Sequence, residues 1–328
     1  MKFWNAVLIA AVAVGSCTVA MAGRADVRDR EAGFAAFAGF DAWPGVDTAG
    51  TNGGGPARLA ALLNPPKRRH AWGSNVPGNE LLLGLRLAEL RRGGVQVPPV
   101  YLKRFPSELA KERSVARRKA LFIKTVLPLV LRANAEVLAL RQQLMPLIAR
   151  ERAGEAFTAS ERNFLADLAV AYDVDDGDPV KLLLRVDAVP NSLALAQGAE
   201  ESGWGTSRFA QRGNAVFGQR TFKKGRGLVP RRRDAGKRHE VRAFQDLYTS
   251  VKSYLRNLNT HFAYDGFRSV RADLRAKERP LDGFALIDTL DRYSERGEQY
   301  IKTIKVIMRA NRLADFDRAR LSLSLRRD

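Results

Sequence analysis

The run Ala194-Leu-Ala-Gln-Gly-Ala-Glu-Glu-Ser-Gly-Trp-Gly205 sets a carboxylate, Glu201, at the end of an apolar stretch and three residues before a tryptophan. Pro190 and Asn191 can open a helical turn, Leu193, Ala194, Leu195, Ala196 and Ala199 continue it, and Gly203 closes it. Glu201 then falls in the last turn, where unpaired carbonyls carry partial negative charge and disfavour ionisation. An apolar wall such as Trp204 disfavours it further by desolvation, so both effects raise the carboxyl pKa. A carboxyl that keeps its proton near neutral pH is suited to protonate the oxygen of a departing sugar. Glu200 points about 100° away around the same helix, which leaves it as a solvated surface residue.

Apolar spacing elsewhere supplies the elements that must hold this helix. Phe122, Val126, Val130, Ala133, Val137, Leu140 and Leu144 step by three or four, giving one buried face to a helix over residues 114–152. Pro128 and Pro146 are expected to bend or divide it. Thr158 and Glu161 have the spacing of a capping box, with Leu165, Leu168 and Tyr172 following on one face. Residues 96–178 therefore read as a helical hairpin region packed on the part that carries Glu201. That part spans residues 179–317, with helices expected at 191–202, 206–211, 248–261, 281–293 and 297–313, and a tail follows over 318–328. In the last helix Tyr300, Ile304, Ile307 and Met308 form an apolar stripe, read as core. Between Gln219 and Phe244, Lys223, Lys224, Arg226, Arg231, Arg232 and Arg233 cluster around glycines as a basic hairpin or flap. The acid-rich loop 173–178 lacks the closing glutamate of an EF-hand. His239-Glu240 lacks the second histidine of a zinc protease, because residue 243 is Ala. No metal or cofactor is expected.

Composition narrows the setting. A chain of 328 residues with 45% hydrophobic side chains has room for one large or two modest domains and is not disordered throughout. Its one cysteine, Cys17, excludes an internal disulfide and a cysteine metal site. Lys2, the apolar stretch 6–14 and Ala20-Met-Ala22 read as a signal peptide over residues 1–22, so the chain is expected to be exported to the periplasm or cell envelope. Val14-Gly-Ser-Cys17 also resembles a lipobox; cleavage before Cys17 would leave a lipoprotein with a lipid anchor, and both forms stay open. Residues 23–95, rich in Gly and Pro, read as a low-complexity, disordered tether with a short amphipathic helix at 80–92. The formal charge of +20 implies attraction to polyanions. For an exported chain these are anionic envelope polymers rather than nucleic acid.

Three motifs taken together resemble a known family. They are the Ala196–Gly205 portion of the run above, Asn214-Ala-Val-Phe217-Gly218, and Tyr254-Leu-Arg-Asn257-Leu-Asn259-Thr-His261-Phe-Ala-Tyr264. The likeness extends to Phe122-Ile-Lys-Thr-Val-Leu-Pro128, Leu184-Arg-Val-Asp-Ala-Val-Pro190 and Tyr293-Ser-Glu-Arg-Gly297, so it covers residues 98 to 315. The family is the glucosaminidase domain of glycoside hydrolase family 73, in its Bax-type bacterial branch. The resemblance implies a mainly α chain: a lysozyme-like α+β catalytic domain with a small β-hairpin, preceded by the helical hairpin and the tether. It implies cleavage of peptidoglycan glycan strands at β-1,4 bonds after N-acetylglucosamine, with Glu201 as general acid. By the same resemblance Asn214, Phe217, Gly218 and Tyr264 belong to the substrate cleft, Trp204 walls that cleft or packs under the helix, and Gly203 and Gly205 let the chain turn beneath the sugar. A second acid is expected in the hairpin, at Glu240 or Asp234; alternatively the substrate's own acetamido group serves as nucleophile and no second acid is needed. A lytic transglycosylase of the same superfamily, or a non-catalytic binder of anionic envelope polymer, are the other readings.

Overall fold

A computed structural model describes residues 82, 84–223, 225–230 and 240–322. The signal peptide with Cys17, the tether through residue 81, Lys224, Asp234, His239 and the end of the tail lie outside the described residues. Two short helices, α1 (Leu87–Arg91) and α2 (Ser107–Lys111), lead into α3 (Val115–Arg152), which Ser114 caps by accepting the Arg117 N–H. Of the bend or division expected at Pro128 and Pro146, the division does not occur, and α3 is one helix of 38 residues. Its two halves are packed into two different cores, which offsets the roughly 3 kcal/mol that an interior proline costs. Phe122 to Ala133 join the larger core. Leu140, Leu144, Leu147 and Ile148 form the smaller one with Leu165, Leu168 and Tyr172 of α4 (Ala159–Tyr172) and Leu182 of α5 (Pro179–Arg185). The capping box at the start of α4 is formed: Thr158 Oγ1 accepts the Glu161 N–H at 3.3 Å, and the Glu161 carboxylate accepts the Thr158 N–H at 2.7 Å.

The larger core is built around α6 (Asn191–Ser202), in which every residue except Glu200 is buried. After α6 come α7 (Arg208–Gly213), strands β1 (Arg220–Thr221), β2 (Gly227–Leu228) and β3 (Glu240–Arg242), and helices α8 (Leu247–Thr260), α9 (Asp265–Ala276), α10 (Gly283–Ile287) and α11 (Glu298–Ala310). Helices α3, α10, α11 and the 3₁₀ segment Leu313–Arg318 all pack on α6. That segment also closes the helix start, since Ser192 donates its N–H and Oγ–H to the Asp317 carboxylate, both at 2.7 Å. In place of one helix over 281–293 the chain forms α10 and a 3₁₀ turn, Asp291–Tyr293. Gly283 marks the crossing: a Cβ there would lie 2.5 Å from Ser192 Oγ and 2.8 Å from Met308 Cε, so α10 needs a glycine where it crosses α6 and α11. Helix α7 begins two residues later than expected because Ser207 is its cap, accepting the Ala210 N–H at 3.1 Å.

The segment expected as a simple hairpin contributes a three-stranded antiparallel sheet with β3 in the middle, Arg220 opposite Val241 and Gly227 opposite Arg242. At the ends, α1 lies within the span read as tether, and its Leu90 is 1% exposed in the larger core. Val97 bridges Leu321, donating to Arg320 O and accepting from Ser322 N–H at 2.8 Å each. Packed chain therefore starts before residue 95 and runs past residue 318. Between the two cores, buried Asp187 receives Arg275 through two hydrogen bonds of 2.8 and 3.0 Å, with Arg141 at 3.7 Å and Arg271 at 3.9 Å. Burial pulls its carboxyl pKa up, but the Arg275 bond and the three guanidinium charges hold it below the ordinary value.

Candidate active site

Helix α6 ends in three successive left-handed residues, Gly203 (φ 58°), Trp204 (φ 59°) and Gly205 (φ 78°). Two glycines make the turn accessible, while a bulky side chain at positive φ stores strain that surrounding bonds must hold. Those bonds are the Trp204 N–H to Ala199 O at 2.8 Å and the Gly205 N–H to Ser202 Oγ at 2.8 Å. The turn fixes Glu201 in the last turn of the helix, as its spacing predicts.

Glu201 is 8% exposed. Burial, first, and the neighbouring charge of Glu200 push its carboxyl pKa up to about 8, against a hydrogen bond from Tyr300 and the charges of Arg296 and Arg220. At neutral pH it carries its proton. Glu200 is more than the solvated residue expected from its position. It accepts a 3.0 Å hydrogen bond from Arg296 Nη1, and its fixed charge one residue away is part of what keeps the proton on Glu201.

The wall of the site is made of tyrosines held by one glutamine. Gln197, one helical turn before Glu201, accepts the Tyr254 hydroxyl on Oε1 at 2.7 Å and donates through Nε2 to the Tyr300 oxygen at 2.9 Å. With its oxygen already accepting, the Tyr300 hydroxyl directs its single proton to the Glu201 carboxyl. Burial pushes the phenols of Tyr254, Tyr293 and Tyr300 well above their ordinary range, so all three remain protonated donors. Tyr300 stacks on Tyr293 at 5.4 Å, and Tyr293 approaches Tyr264 at 5.9 Å.

The residues expected in the cleft divide into two groups. Tyr264, 2% exposed, joins the tyrosine wall, and Phe217 supports it from behind by stacking on Tyr254 at 3.8 Å with rings 5° apart. Trp204 instead turns to α3, edge-on to Phe122 at 5.5 Å and with Lys119 Nζ 4.9 Å from its ring centroid. It packs under the helix, and the residues electrostatically coupled to Glu201 are Glu200, tyrosines and arginines. Asn214 caps α7 in a left-handed conformation and donates Nδ2 to Phe244 O at 3.0 Å and Gln245 O at 3.2 Å. It therefore ties the loop that Gly218 (φ 58°) continues to the chain entering α8. Glu240, only 7% exposed, accepts the Gly225 N–H on both oxygens at 3.1 Å and the Gly227 N–H at 2.9 Å. Its carboxylate is engaged with the loop between β1 and β2.

Sequence reasoning left out Gln197, Tyr254, Tyr293, Tyr300 and Arg220. A signal for Gln197 was present, because a lone polar side chain sat four residues before Glu201 amid Leu and Ala, on the same helical face. Arg220 has a side chain 10% exposed on β1, 3.7 Å from Glu295, and its charge is felt at Glu201. Among the described residues no group of three or more His, Cys, Asp or Glu is placed to hold a metal ion, and no helix is long and apolar enough to cross a membrane.

The span from α5 to the start of the closing 3₁₀ segment is the one that known proteins share. Residues 179–313 match the glucosaminidase family, described as mannosyl-glycoprotein endo-beta-N-acetylglucosaminidase. Protein bax of Escherichia coli (strain K12) is 36% identical over 199 residues, which are 59% of this chain and 69% of that protein. No solved structure matches significantly. Glu201, its tyrosine wall and the small sheet all fall inside the matched residues, and the chain belongs to the glucosaminidase family as a Bax-type protein with a mainly helical glucosaminidase domain.

Proposed function

We propose that this protein is an exported peptidoglycan hydrolase that cleaves β-1,4 bonds after N-acetylglucosamine, with Glu201 as general acid. What carries the reading is a carboxyl only 8% exposed, its pKa pushed up to about 8 by burial, beside a tyrosine whose oxygen already accepts from Gln197 and whose hydroxyl bonds the carboxyl. When a glycan lies across the site, Glu201 gives its proton to the bridging oxygen as the bond to C1 breaks. The carboxylate left behind is stabilised by the Tyr300 hydroxyl and by the charges of Arg220 and Arg296. In this scheme the acetamido carbonyl of the cleaved sugar is the nucleophile that closes on C1, a role in keeping with the engagement of the Glu240 oxygens by backbone N–H groups. Water then opens that ring, and Glu201 takes back a proton from the attacking water. In this scheme Glu240 holds the loop beyond the strand that carries Arg220, and the chain's excess positive charge favours approach to anionic envelope polymer.

Digestion of purified sacculi, followed by mass spectrometry of the released fragments, tests the reaction. Reducing N-acetylglucosamine ends are expected. Anhydro-sugar ends would replace hydrolysis by transglycosylation, and no released fragment would leave only a binding role. Intact-mass measurement of the exported chain decides between cleavage after Ala22 and lipid attachment at Cys17.

A further inference from the structure

A row of rings leads from Glu201 to the surface. Tyr300, hydrogen-bonded to the carboxyl, stacks on Tyr293; Tyr293 meets Tyr264; Tyr264 meets His261 at 5.5 Å; and His261 stacks on Phe262 at 4.5 Å with planes 26° apart. The first four rings belong to residues 1% to 7% exposed, whereas Phe262 is 69% exposed, the most exposed large apolar side chain among the described residues. It is also rigidly presented. His261 Nδ1 accepts the Ala263 N–H at 3.2 Å, and Arg268 donates to the carbonyls of His261 at 2.9 Å and Leu258 at 3.0 Å, so the turn that carries Phe262 is pinned on both sides.

A benzene ring backed on one face by an imidazole, with most of its surface open to solvent, has the shape that accepts the C–H face of a pyranose. The negative ring face attracts those weakly positive hydrogens while the sugar's hydroxyls stay in water. Accepting a glycan strand as the substrate of Glu201, we propose that Phe262 is a distal sugar platform for that strand, set up to four ring-to-ring steps of 4.5 to 5.9 Å away from the proton donor. Strands too short to reach it bind without its help. Strands long enough to span from Glu201 to Phe262 gain one stacking contact in the ground state and the transition state alike, which lowers KM and leaves kcat unchanged.

The test uses the full chain and glycan strands of graded length. Phe262→Ala should raise KM for long strands about 3- to 10-fold, the range of one ring contact, with kcat and the turnover of the shortest cleaved strands unchanged. Phe262→Trp should restore the long-strand KM. Thermal unfolding of both variants should match that of the parent chain, since the ring is exposed. An equal effect at all lengths, or none, overturns the platform. Binding of the same strands to Glu201→Gln, with and without Phe262→Ala, reads the platform independently of turnover: loss of the length dependence supports it, and unchanged binding overturns it. Failure of the parent chain to cleave any strand would instead sink the hydrolytic reading.

Discussion

Replacing Glu201 by glutamine separates the cost of holding a buried proton from the chemistry that the proton performs. The amide has the shape of the neutral acid and still accepts a hydrogen bond from Tyr300, but it does not titrate. In the parent chain the folded carboxyl has its pKa pushed up to about 8 from 4.5. Folding therefore binds a proton between these limits. The stability associated with that group is fully present below pH 4.5 and is lost as pH rises toward 8. Each pKa unit corresponds to about 1.4 kcal/mol, so at pH 7 the parent chain is less stable than Glu201→Gln by up to about 3 kcal/mol. For a chain of this size that difference is roughly 6 to 12 °C in Tm. Urea unfolding of both chains at pH 4.5 and pH 7 is the assay. The two curves should nearly coincide in acid and separate at neutral pH, with the glutamine variant the more stable and with glycan cleavage abolished. A constant offset at both pH values, or a parent chain that is the more stable at pH 7, would show Glu201 ionised in the fold and refute the reasoning.

Three other substitutions probe the surroundings. Gln197→Leu leaves the Tyr254 hydroxyl without an acceptor and frees the Tyr300 oxygen, so it should destabilise by about 1 to 3 kcal/mol and lower kcat more than it raises KM, measured by urea unfolding and sacculus digestion. Asp187→Asn leaves the guanidinium groups of Arg141, Arg271 and Arg275 without their carboxylate and should destabilise by about 3 to 5 kcal/mol in the same unfolding assay. Because the folded pKa of Asp187 is lowered, the parent chain's advantage should persist above the ordinary carboxylate range and shrink as pH falls through the folded value. Glu240→Gln loosens the loop between β1 and β2 and should raise KM with kcat within about ten-fold of the parent, whereas loss of a reacting carboxylate would lower kcat by orders of magnitude.

Much of the fold was legible because it rests on local spacing. The face of α3, the capping box at Thr158 and Glu161, and α6 with its glycine stop all follow from patterns within one element. The site was legible only at its acid. Gln197, Tyr254 and Tyr300 come from three helices far apart in sequence, and a tyrosine that completes a hydrogen-bond chain has the same spacing in sequence as one that fills a core. Tyr300 does both, which is why the apolar stripe of α11 reads as core. Trp204 is a choice that sequence left open. Its place beside Glu201 in sequence fits a cleft wall or packing under the helix, and three left-handed residues in succession carry its ring to Phe122 on α3. At Pro128 and Pro146 local rules allow a bend or a division, and packing into two separate cores keeps the helix undivided.

The charges around Glu201 show how one site holds a proton and yet survives losing it. Burial and Glu200 favour the neutral acid; Arg296 and Arg220 favour the carboxylate, and each of these arginines has a glutamate partner, at 3.0 Å and 3.7 Å. Those partners weaken the arginine fields at rest, so the acid keeps its proton near neutral pH. In the proposed reaction, once the proton has gone to the sugar oxygen, the same two guanidinium groups face a carboxylate at low dielectric, where their attraction is stronger than in water. A site with only the apolar wall would hold its proton too firmly to give it up, and one with unpaired arginines would lose it before substrate arrived. Removing the Glu200 charge should therefore lower the pKa of Glu201 and pull the basic limb of the activity profile to lower pH, whereas removing Arg220 should push that limb the other way while lowering kcat. Opposite shifts from two residues on different elements are what this balance requires, and shifts in the same direction would break it.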